Sequence, residues 1–532
     1  MSDAVATAPV LRWPELGLWN LYFLAKFVLL WMGLLDFHAL LNLLLAAGLL
    51  LPLPGPWLPR LRNVIAVPLG AALLYKDTWY PPIRRLFEQS EVLAFSVDYV
   101  VDLLGRFVNW DVLGVLFAVG LAYLFIAPWV RLTLISVALL LWVYLAGALP
   151  AFNVPVQSVA GEAGTTQGAS SPVAESNAID AWLEQFYREQ AGKATRFPER
   201  SPTAEPFDLL VLNVCSLAWD DLEDAGMRDN ALFRRMNVVF DRFNSATSYS
   251  GPAAIRMLRA SCGQPHHIQL YEPAKEQCML FDNLAKLGYS PELMLNHNGP
   301  ITQKYMTFLA GQHLPPPLMS SDEFPTALKS YDGANIARDH DVLQAWWNHR
   351  IKEQKPAVSL FYNTITLHDG NRITNADGST RRASFQERAK TFLGDIDQFI
   401  DRVQQSGRRV VLVLVPEHGA AVHGDRMQIS GMREIPSRSI THVPAAIKLI
   451  NMGENDQQGP QHVTTPASYL AVSELIARLY AQQGGPLDLA ALTHDLPTTP
   501  AVSENSDSAV VEFQGRPYVR IKGQTQWMLY PE

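Results

Sequence analysis

The sequence predicts two parts of different fold class, an N-terminal all-α transmembrane bundle and an α/β domain with a mostly parallel sheet. Three observations support this. The first 150 of the 532 residues contain five long apolar stretches, and a segment rich in Gly, Ser, Thr, Ala and Pro follows. Beyond that segment, short Val- and Leu-rich runs alternate with helical patterns. The predicted boundaries are 1–152 for the bundle, 153–178 for a flexible linker and 179–532 for the globular domain.

The apolar stretches are long enough, with one exception, to predict membrane-spanning helices. A spanning helix needs roughly 20 apolar residues, with a lower limit of about 17. The third stretch is short and contains Pro68. Lys26 and Asn20 lie inside the first, where they mark a substrate path; for Lys26 the alternatives are snorkelling to the interface or pairing within the bundle. The predicted spans are 16–35, 37–54, 63–75, 111–128 and 130–150.

The connection between the third and fourth spans has apolar residues at helical spacing, from Leu93 to Val108, with Asp98, Asp102 and Arg106 among them. This pattern predicts an amphipathic helix lying at the membrane surface. A linker helix packed on the bundle fits the same pattern. The positive-inside rule does not orient the bundle, because basic residues divide evenly between the two sets of loops.

The charge balance and the cysteines limit the surroundings of the chain. With 43 basic and 51 acidic residues, the chain has no basic excess, which argues against nucleic acid as a partner. A bridge between Cys262 and Cys278 would close a loop of about 15 residues and stabilise the fold by roughly 3 kcal/mol. Such a bridge implies an oxidising compartment. The residues alone also allow two free buried thiols.

The globular domain begins with a predicted amphipathic helix at 178–193 and continues as alternating strands and helices. A long helix is predicted at 384–406. Continuous apolar strands between helices are typical of a parallel sheet that is covered on both faces. The predicted strands are 207–214, 357–365, 408–416 and 442–450.

Side chains that can bind a metal follow three of these strands. Cys215 follows the first, His368 follows the second, and Glu417 and His418 follow the third. Because ligands bind at the carboxyl ends of strands in open α/β sheets, we expect these four residues to meet. Thiolate, imidazole and carboxylate groups are ordinary zinc ligands. Taken one at a time, the same residues fit a buried apolar cysteine and structural histidines. Four further histidines, His266, His267, His297 and His423, are expected on the surface or in loops, with outer contacts to a substrate as the second interpretation.

The segment NSATSYSGPAAIRMLRA at 244–260 contains a candidate nucleophile. Ser250 precedes Gly251 and Pro252 and an apolar helical pattern, which predicts Ser250 as the N-cap of a helix. The free N–H groups of that helix would face an anion beside the hydroxyl. A zinc ion in contact would lower the pKa of the hydroxyl. A simple structural cap is the alternative.

Four segments together resemble a known family. They are NVCSLAWDDL, TSYSGPAAIRMLRASCGQ, TLHDGNR and PEHGAAVHGDRMQISGMREIPSRSITHVP. They resemble the bacterial cellulose phosphoethanolamine transferases, membrane-anchored members of the alkaline phosphatase and sulfatase superfamily. The resemblance covers essentially the whole chain. It implies a multi-pass protein of the bacterial inner membrane with an alkaline-phosphatase-like catalytic domain in the periplasm.

The resemblance also implies a site. It assigns Cys215, Ser250, Glu417 and His418 to zinc, with one ion and a second left open. Tyr249, His368 and Arg433 match residues that the family uses around the phosphoryl group. Cys262 and Cys278 match its disulfide, which would place the catalytic domain in the periplasm.

The implied reaction moves phosphoethanolamine from phosphatidylethanolamine to the 6-hydroxyl of glucose units in nascent cellulose, through an ester on Ser250. His368 would transfer protons and Arg433 would neutralise phosphate oxygens. The implied partners are the donor lipid, cellulose and cellulose synthase subunits. The alternatives are lipid A or another exopolysaccharide as acceptor, phosphoglycerol as the transferred group, or a non-catalytic scaffold of the synthase complex. An intact set of site residues argues against the scaffold.

Overall fold

The computed structural model describes most of the chain, in two compact units. One unit comprises residues 1–85 and 104–168, and the other comprises 86–103 and 169–532. The predicted domain boundaries remain predictions. The described residues are 15–33, 35–55, 57–78, 96–106, 110–148, 172–199, 205–453, 459–482 and 487–531.

Helices form at all five apolar stretches, and their lengths are 13, 12, 21, 17 and 17 residues. Among the described residues, no helix has both the length and the apolar character that crossing a membrane requires. A further helix of 10 residues, Val97–Arg106, lies between the third and fourth of these. In chain order the helices are α1 Trp19–Trp31, α2 Ala39–Leu50, α3 Trp57–Asp77, α4 Val97–Arg106, α5 Trp110–Ile126 and α6 Leu132–Ala148.

The first unit contains a buried polar group that pairs internally. The ammonium of Lys26 lies 2.5 Å from a carboxylate oxygen of Asp77 and donates to Asn42 Oδ1 at 2.7 Å. Asn42 in turn donates through its Nδ2 to the same oxygen of Asp77 at 2.9 Å. A buried charge is tolerated when it has such partners. The pairing predicted as one alternative for Lys26 is therefore present.

The second unit contains the predicted strands at nearly the predicted positions. Its strands are β1 Asp208–Val214, β2 Val238–Phe240, β3 Ser290–Leu295, β4 Thr326–Lys329, β5 Asn335–Ala337, β6 Val358–Thr364, β7 Arg372–Thr374, β8 Thr380–Arg382, β9 Val410–Pro416, β10 Ala446–Ile450, β11 Gln461–Val463, β12 Val502–Glu504, β13 Ser508–Phe513, β14 Arg516–Ile521 and β15 Met528–Leu529.

The helices of this unit lie between the strands, and α14 confirms the long helix predicted at 384–406. They are α7 Pro172–Ala191, α8 Trp219–Asp224, α9 Ala231–Arg235, α10 Ser250–Leu258, α11 Leu280–Lys286, α12 Pro300–Ala310, α13 Asp339–Arg350, α14 Phe385–Gln405, α15 Arg438–Thr441, α16 Tyr469–Ala481 and α17 Leu489–Thr493.

Two predicted boundaries differ from the structure. The helix predicted at 178–193 begins earlier, at Pro172, so the end of the predicted linker is helical. The remainder of that linker lies outside the described residues. The fourth predicted strand begins at Ala446 rather than 442, because Arg438–Thr441 form a helical turn that ends at His442.

The central sheet is mostly parallel, as predicted. Its strand order is β11-β2-β10-β9-β1-β6-β3, and β10 is antiparallel to β9 and β2. Along β1, Leu209 and Val211 face one apolar core while Leu210 and Leu212 face the other. Successive side chains of a strand point to opposite faces, so a strand covered on both faces must be apolar throughout. Two smaller sheets have the orders β12-β13-β14-β15 and β5-β4-β7-β8.

The register of the central strands positions the candidate site. Val214 is paired with Thr364 of β6 on one side and with Pro416 of β9 on the other. The three parallel strands therefore end level with one another. The residues that follow them, including Cys215 and Glu417, are delivered to the same edge of the sheet.

Candidate active site

Four of the predicted site residues meet at the carboxyl edge of the central sheet. The Oγ of Ser250 lies 3.5 Å from the Sγ of Cys215 and 3.3 Å from the Nε2 of His418. The Sγ of Cys215 lies 3.9 Å from that Nε2. One ligand atom each from Cys215, Glu417 and His418 lie within 4.8 Å of one another, and all three residues are buried.

Ser250 is the first residue of α10, not its N-cap, so this detail of the prediction is wrong. Tyr249 occupies the cap position, with extended backbone angles, and its carbonyl accepts the hydrogen bond from Ala253 N. A side chain at the cap position would bond to the N–H groups of its own helix. One residue further on, the Ser250 hydroxyl instead faces the thiol and the imidazole.

The two carboxylate oxygens of Glu417 have different surroundings. Oε1 accepts hydrogen bonds from Tyr305 Oη at 3.1 Å and from Asn363 Nδ2 at 2.8 Å. Oε2 is buried and has no hydrogen-bond partner among the described residues. A buried oxygen without a partner is costly, which points to a missing electropositive ligand.

Burial opposes charge on all three metal-capable groups. It raises the pKa of the Cys215 thiol to about 12, with a further contribution from the Glu417 carboxylate. It raises the pKa of Glu417 to about 7. Burial and then the nearby Arg433 guanidinium hold the pKa of His418 well below its usual range. A bound cation would reverse the first two shifts, because it stabilises thiolate and carboxylate.

The imidazole of His418 is held with one nitrogen toward the cluster. Its Nδ1 lies 2.9 Å from the carbonyl oxygen of Gly419. A hydrogen on Nδ1 donates to that carbonyl and leaves the lone pair of Nε2 facing Cys215 and Ser250. This arrangement is typical of histidines that bind a metal through Nε2.

The arrangement fits a zinc ion. In tetrahedral coordination with Zn–S near 2.3 Å and Zn–N or Zn–O near 2.0 Å, neighbouring ligand atoms lie about 3.3 to 3.8 Å apart. The distances among Cys215 Sγ, Ser250 Oγ and His418 Nε2 are close to this range, and Glu417 Oε2, which has no partner among the described residues, would supply a fourth donor. A thiolate with an imidazole and a carboxylate is a donor set that suits zinc.

Arg433 and His368 lie next to this group. One terminal nitrogen of Arg433 lies 3.0 Å from His418 Nδ1 and donates to Ser216 Oγ at 3.2 Å. The other lies 3.3 Å from His368 Nε2. The ring of Tyr331 stacks on His368 with centroids 4.3 Å apart. Burial and the Arg433 charge lower the pKa of His368 to about 3.

Tyr249 and His423 face elsewhere. The hydroxyl of Tyr249 donates to Glu434 Oε1 at 2.7 Å, so it faces a carboxylate rather than the ligand group. His423 is exposed, as expected, and its Nδ1 lies 2.5 Å from Asp224. His297 lies between β3 and α12, which fits the prediction of a loop position, but its ring is buried, and its Nε2 lies 2.9 Å from Asn363 Oδ1. A polar network beneath Glu417 accommodates the ring.

The sequence reasoning missed the residues that support the site from below. Asn363 and Asn213 are in register at the ends of β6 and β1, and Asn363 donates to Asn213 Oδ1 at 3.0 Å. A lone asparagine inside an apolar strand could have been the signal for both. Tyr305 on α12 had no such signal. Asp221 joins the loops after β1 and β9 by accepting from the N–H groups of Ala218 and Ala420.

The predicted disulfide is present. Cys262 and Cys278 are bridged, with their Cα atoms 4.9 Å apart, and Cys215 is the free cysteine. The alternative of two free thiols is therefore wrong. The bridge joins the segment after α10 to the start of α11.

A mostly parallel sheet with a serine hydroxyl, a thiol, a carboxylate and an imidazole gathered at its carboxyl edge defines an α/β protein with a candidate metal centre. A family model described as the cellulose biosynthesis protein BcsG C-terminal domain matches residues 163–527, and the BcsG N-terminal domain model matches residues 19–145. The chain belongs to the cellulose biosynthesis protein BcsG family.

Individual relatives agree with this assignment. The cellulose biosynthesis protein BcsG of Escherichia coli K12 is 42% identical over an alignment 549 positions long, which covers 98% of this chain and 97% of that protein. The corresponding protein of Salmonella typhimurium LT2 is 41% identical with the same coverage. Among solved structures, the zinc complex of the periplasmic domain of Escherichia coli EcEptC has 12% identity and a TM-score of 0.42, covering 59% of this chain and 93% of that chain.

Proposed function

We propose that this chain transfers phosphoethanolamine from phosphatidylethanolamine to the 6-hydroxyl groups of glucose units in nascent cellulose. Ser250 is the nucleophile and carries the phosphoethanolamine between the two half-reactions. The cellulose biosynthesis family to which the chain belongs supports a glucan as the acceptor. The resemblance to phosphoethanolamine transferases supports the transferred group.

One observation carries the proposal, namely the position of the Ser250 hydroxyl. Its oxygen lies within 3.5 Å of both the Cys215 sulfur and the His418 Nε2. Beside it is the Glu417 oxygen without a partner. A serine hydroxyl is a weak nucleophile unless a base or a cation activates it. When bound, a zinc ion supplies positive charge that favours the deprotonated serine and polarises phosphoryl oxygens.

In the first half-reaction, Ser250 Oγ forms a bond to the phosphorus of the lipid and gives up its proton. The bond between phosphorus and the glycerol oxygen breaks, and that oxygen leaves with the electron pair and takes up a proton as diacylglycerol. In the second half-reaction, a glucose 6-hydroxyl loses its proton and its oxygen bonds to phosphorus. The bond from phosphorus to Ser250 Oγ then breaks, and the serine regains a proton.

Arg433 and His368 have complementary roles in both steps. The forked guanidinium of Arg433 suits the phosphoryl oxygens. Its charge is also one cause of the low pKa of His368. A phosphoryl group bound beside Arg433 offsets that charge and returns the pKa of His368 toward the range useful for proton transfer. Tyr249 contributes through its backbone at the cap position of α10, because its hydroxyl is bound to Glu434 Oε1.

The proposed location is the bacterial inner membrane, with the catalytic unit in the periplasm. The first unit exposes large apolar side chains along its helices, among them Leu44, Phe117 and Trp142. Exposed apolar surface on this scale suits a lipid environment. The disulfide suits an oxidising compartment. Subunits of the cellulose synthase complex are the proposed protein partners.

The test uses the full-length protein with phosphatidylethanolamine. Mass spectrometry of the peptide that contains Ser250 should show an added phosphoethanolamine group, together with release of diacylglycerol. Ser250→Ala should abolish both, while the exposed-site control Ser406→Ala should retain both. Loading of the unmodified chain only by phosphatidylglycerol would indicate phosphoglycerol transfer. The absence of an adduct with either lipid would contradict the proposal.

A further inference from the structure

The loop closed by the disulfide displays apolar side chains to solvent. Between Cys262 and Cys278, the side chain of Ile268 is 75% exposed and that of Tyr271 is 54% exposed. Isolated exposed apolar residues are common on protein surfaces. Here two of them lie on one loop that a disulfide closes.

This loop is anchored at several points. Leu270 is buried, and the backbone N–H of His267 donates to Glu504 Oε2 at 2.8 Å. The buried guanidinium of Arg256 donates to the carbonyl of Pro265 at 3.2 Å. With the disulfide closing its ends, the loop holds Ile268 and Tyr271 in fixed positions. A surface held in its binding conformation loses less entropy when a ligand binds.

The exposed side chains continue into an aromatic contact that reaches the nucleophile. The ring of Tyr271 lies 6.2 Å from the ring of Phe308, centroid to centroid. The Phe308 ring lies against Gly251, where an added Cβ would approach within 2.8 Å of the ring. Gly251 directly follows Ser250. Ile268 precedes Tyr271 by three residues in the 3-10 turn His267–Tyr271, so their side chains lie on the same face of that turn. Ile268, Tyr271 and Phe308 are together called the aromatic platform, which begins at the start of α10.

We propose that the aromatic platform binds the glucan acceptor and holds a glucose unit near Ser250. This inference rests on the proposed function. The apolar faces of pyranose rings stack on aromatic rings, and a tyrosine offers an apolar body with a polar tip to a hydrated ligand. An exposed polar side chain, Lys304, precedes Phe308 by four residues on α12 and therefore lies on the same face of that helix. This mixed surface suits a hydroxyl-rich chain better than it suits the acyl chains of the donor lipid.

The platform contributes binding and no reacting group. In the acceptor step, the glucose 6-oxygen bonds to phosphorus, the bond from phosphorus to Ser250 Oγ breaks, and the proton lost by the glucose hydroxyl is balanced by one gained by the serine. The platform residues only place that hydroxyl within reach. The donor step, which loads Ser250, does not need them. The two half-reactions therefore separate this inference from the proposed function.

The experiment measures both half-reactions in the full-length protein. Loading of Ser250 from phosphatidylethanolamine is followed by mass spectrometry, and transfer to cellohexaose is followed by the labelled product. Tyr271→Ala and Ile268→Ser remove exposed parts of the platform. Ile351→Ser is the matched control, because Ile351 is also an exposed isoleucine but lies at the end of α13. Tyr271→Phe retains the ring.

We expect Tyr271→Ala to raise the KM for cellohexaose about tenfold, the change expected for losing one well-placed ring contact. Its rate of loading Ser250 should stay at the level of the Ile351→Ser control, and Tyr271→Phe should retain most of the acceptor affinity. An unchanged KM for cellohexaose in both platform variants would overturn the inference. A raised KM for phosphatidylethanolamine instead would also overturn it and assign the platform to the lipid. Failure of the unmodified chain to load Ser250 would overturn the proposed function first and this inference with it.

Discussion

The two ends of strand β1 contain buried ionisable groups of opposite character. At the amino end, the carboxylate of Asp208 accepts from Arg350 Nη2 at 2.8 Å and Nε at 3.0 Å, and from Arg408 Nε at 2.5 Å. The backbone N–H of Val358 adds a fourth bond at 2.9 Å. Asp208 and Arg350 are fully buried, and both carboxylate oxygens of Asp208 accept hydrogen bonds from within the protein.

The carboxyl end lacks that compensation. Cys215, Glu417 and His418 are equally buried, and burial opposes charge on each of them. It raises the pKa of Cys215 to about 12 and that of Glu417 to about 7, and it lowers the pKa of His418. One oxygen of Glu417 has no partner within the described residues. Burial alone therefore does not mark a functional site. The carboxyl end differs from the amino end because three metal-capable groups lie together there around an unpartnered carboxylate oxygen.

The largest loss of zinc content and of transfer activity is expected when a candidate metal ligand is removed. Cys215→Ala and Glu417→Gln should each lower zinc content and reduce phosphoethanolamine transfer by roughly 10³-fold or more, because the remaining donors bind the cation weakly. Zinc is measured by elemental analysis of the purified protein and transfer by labelled product. Either variant with full zinc and full activity would refute the assignment of its residue.

Removing an arginine that pairs with Asp208 at the amino end of β1 should lower the stability of the fold rather than the zinc content. Arg350→Met leaves the Asp208 carboxylate with too few partners and should destabilise the fold by about 3–5 kcal/mol. The free energy of unfolding is measured by denaturant titration of the full-length protein. Zinc per folded molecule should stay unchanged. If the variant instead lost zinc without losing stability, the two ends would not be independent.

The stability of the metal-free protein as a function of pH tests whether the carboxyl end of β1 lacks compensation for the charge of Glu417. After chelation, the pKa of Glu417 is about 7 in the folded protein and 4.5 in the unfolded chain. Its contribution to stability is therefore fully present below pH 4.5 and is lost as the pH rises toward 7, by roughly 3 kcal/mol. Zinc affinity should rise over the same interval, because binding requires the deprotonated ligands. Glu417→Gln should remove the part of this pH dependence of stability that Glu417 causes. If the metal-free protein instead became more stable between pH 4.5 and 7, and Glu417→Gln removed that gain, the proposed shift in the pKa of Glu417 would be contradicted.

Residues that hydrogen-bond to the candidate ligands should affect zinc affinity less than the ligands themselves do. Tyr305→Phe removes one hydrogen bond to Glu417 Oε1, and zinc affinity should fall about tenfold to 100-fold. Competition with a chelator measures the affinity. Tyr530→Phe is the control, because that hydroxyl donates to Asp425. Equal affinities for the two variants would remove Tyr305 from the support of the site.

The smallest effect is expected at His423. Its side chain is exposed and pairs only with Asp224 among the described contacts. His423→Ala should change stability by less than about 0.5 kcal/mol and leave zinc content and transfer unchanged. A loss of transfer with normal zinc content would show that His423 contacts a substrate.

The sequence was sufficient for four of the seven strands of the central sheet and for the candidate ligands that follow three of them. Continuous apolar runs such as 207–214 end where polar residues begin, so strand and site are visible in the same pattern. The support of the site was less visible. Tyr305 reaches Glu417 from a separate helix, and that contact depends on tertiary packing rather than on local pattern.

The sequence pattern also did not predict the exact first residue of α10. Ser250 has the composition of an N-cap, but Tyr249 takes that position because its backbone is extended and its carbonyl accepts the first helical bond. Helix boundaries shift by one residue at small energetic cost. Here that one residue decides whether the hydroxyl bonds to its own helix or faces Cys215.

The central claim is that a divalent cation binds among one sulfur, one carboxylate oxygen and one imidazole nitrogen, next to the nucleophilic hydroxyl. X-ray absorption at the zinc edge on the full-length protein tests this most directly. The account predicts a single sulfur neighbour near 2.3 Å and nitrogen or oxygen neighbours near 2.0 Å, with the sulfur lost in Cys215→Ser. A zinc-loaded, active protein without any sulfur neighbour would contradict it.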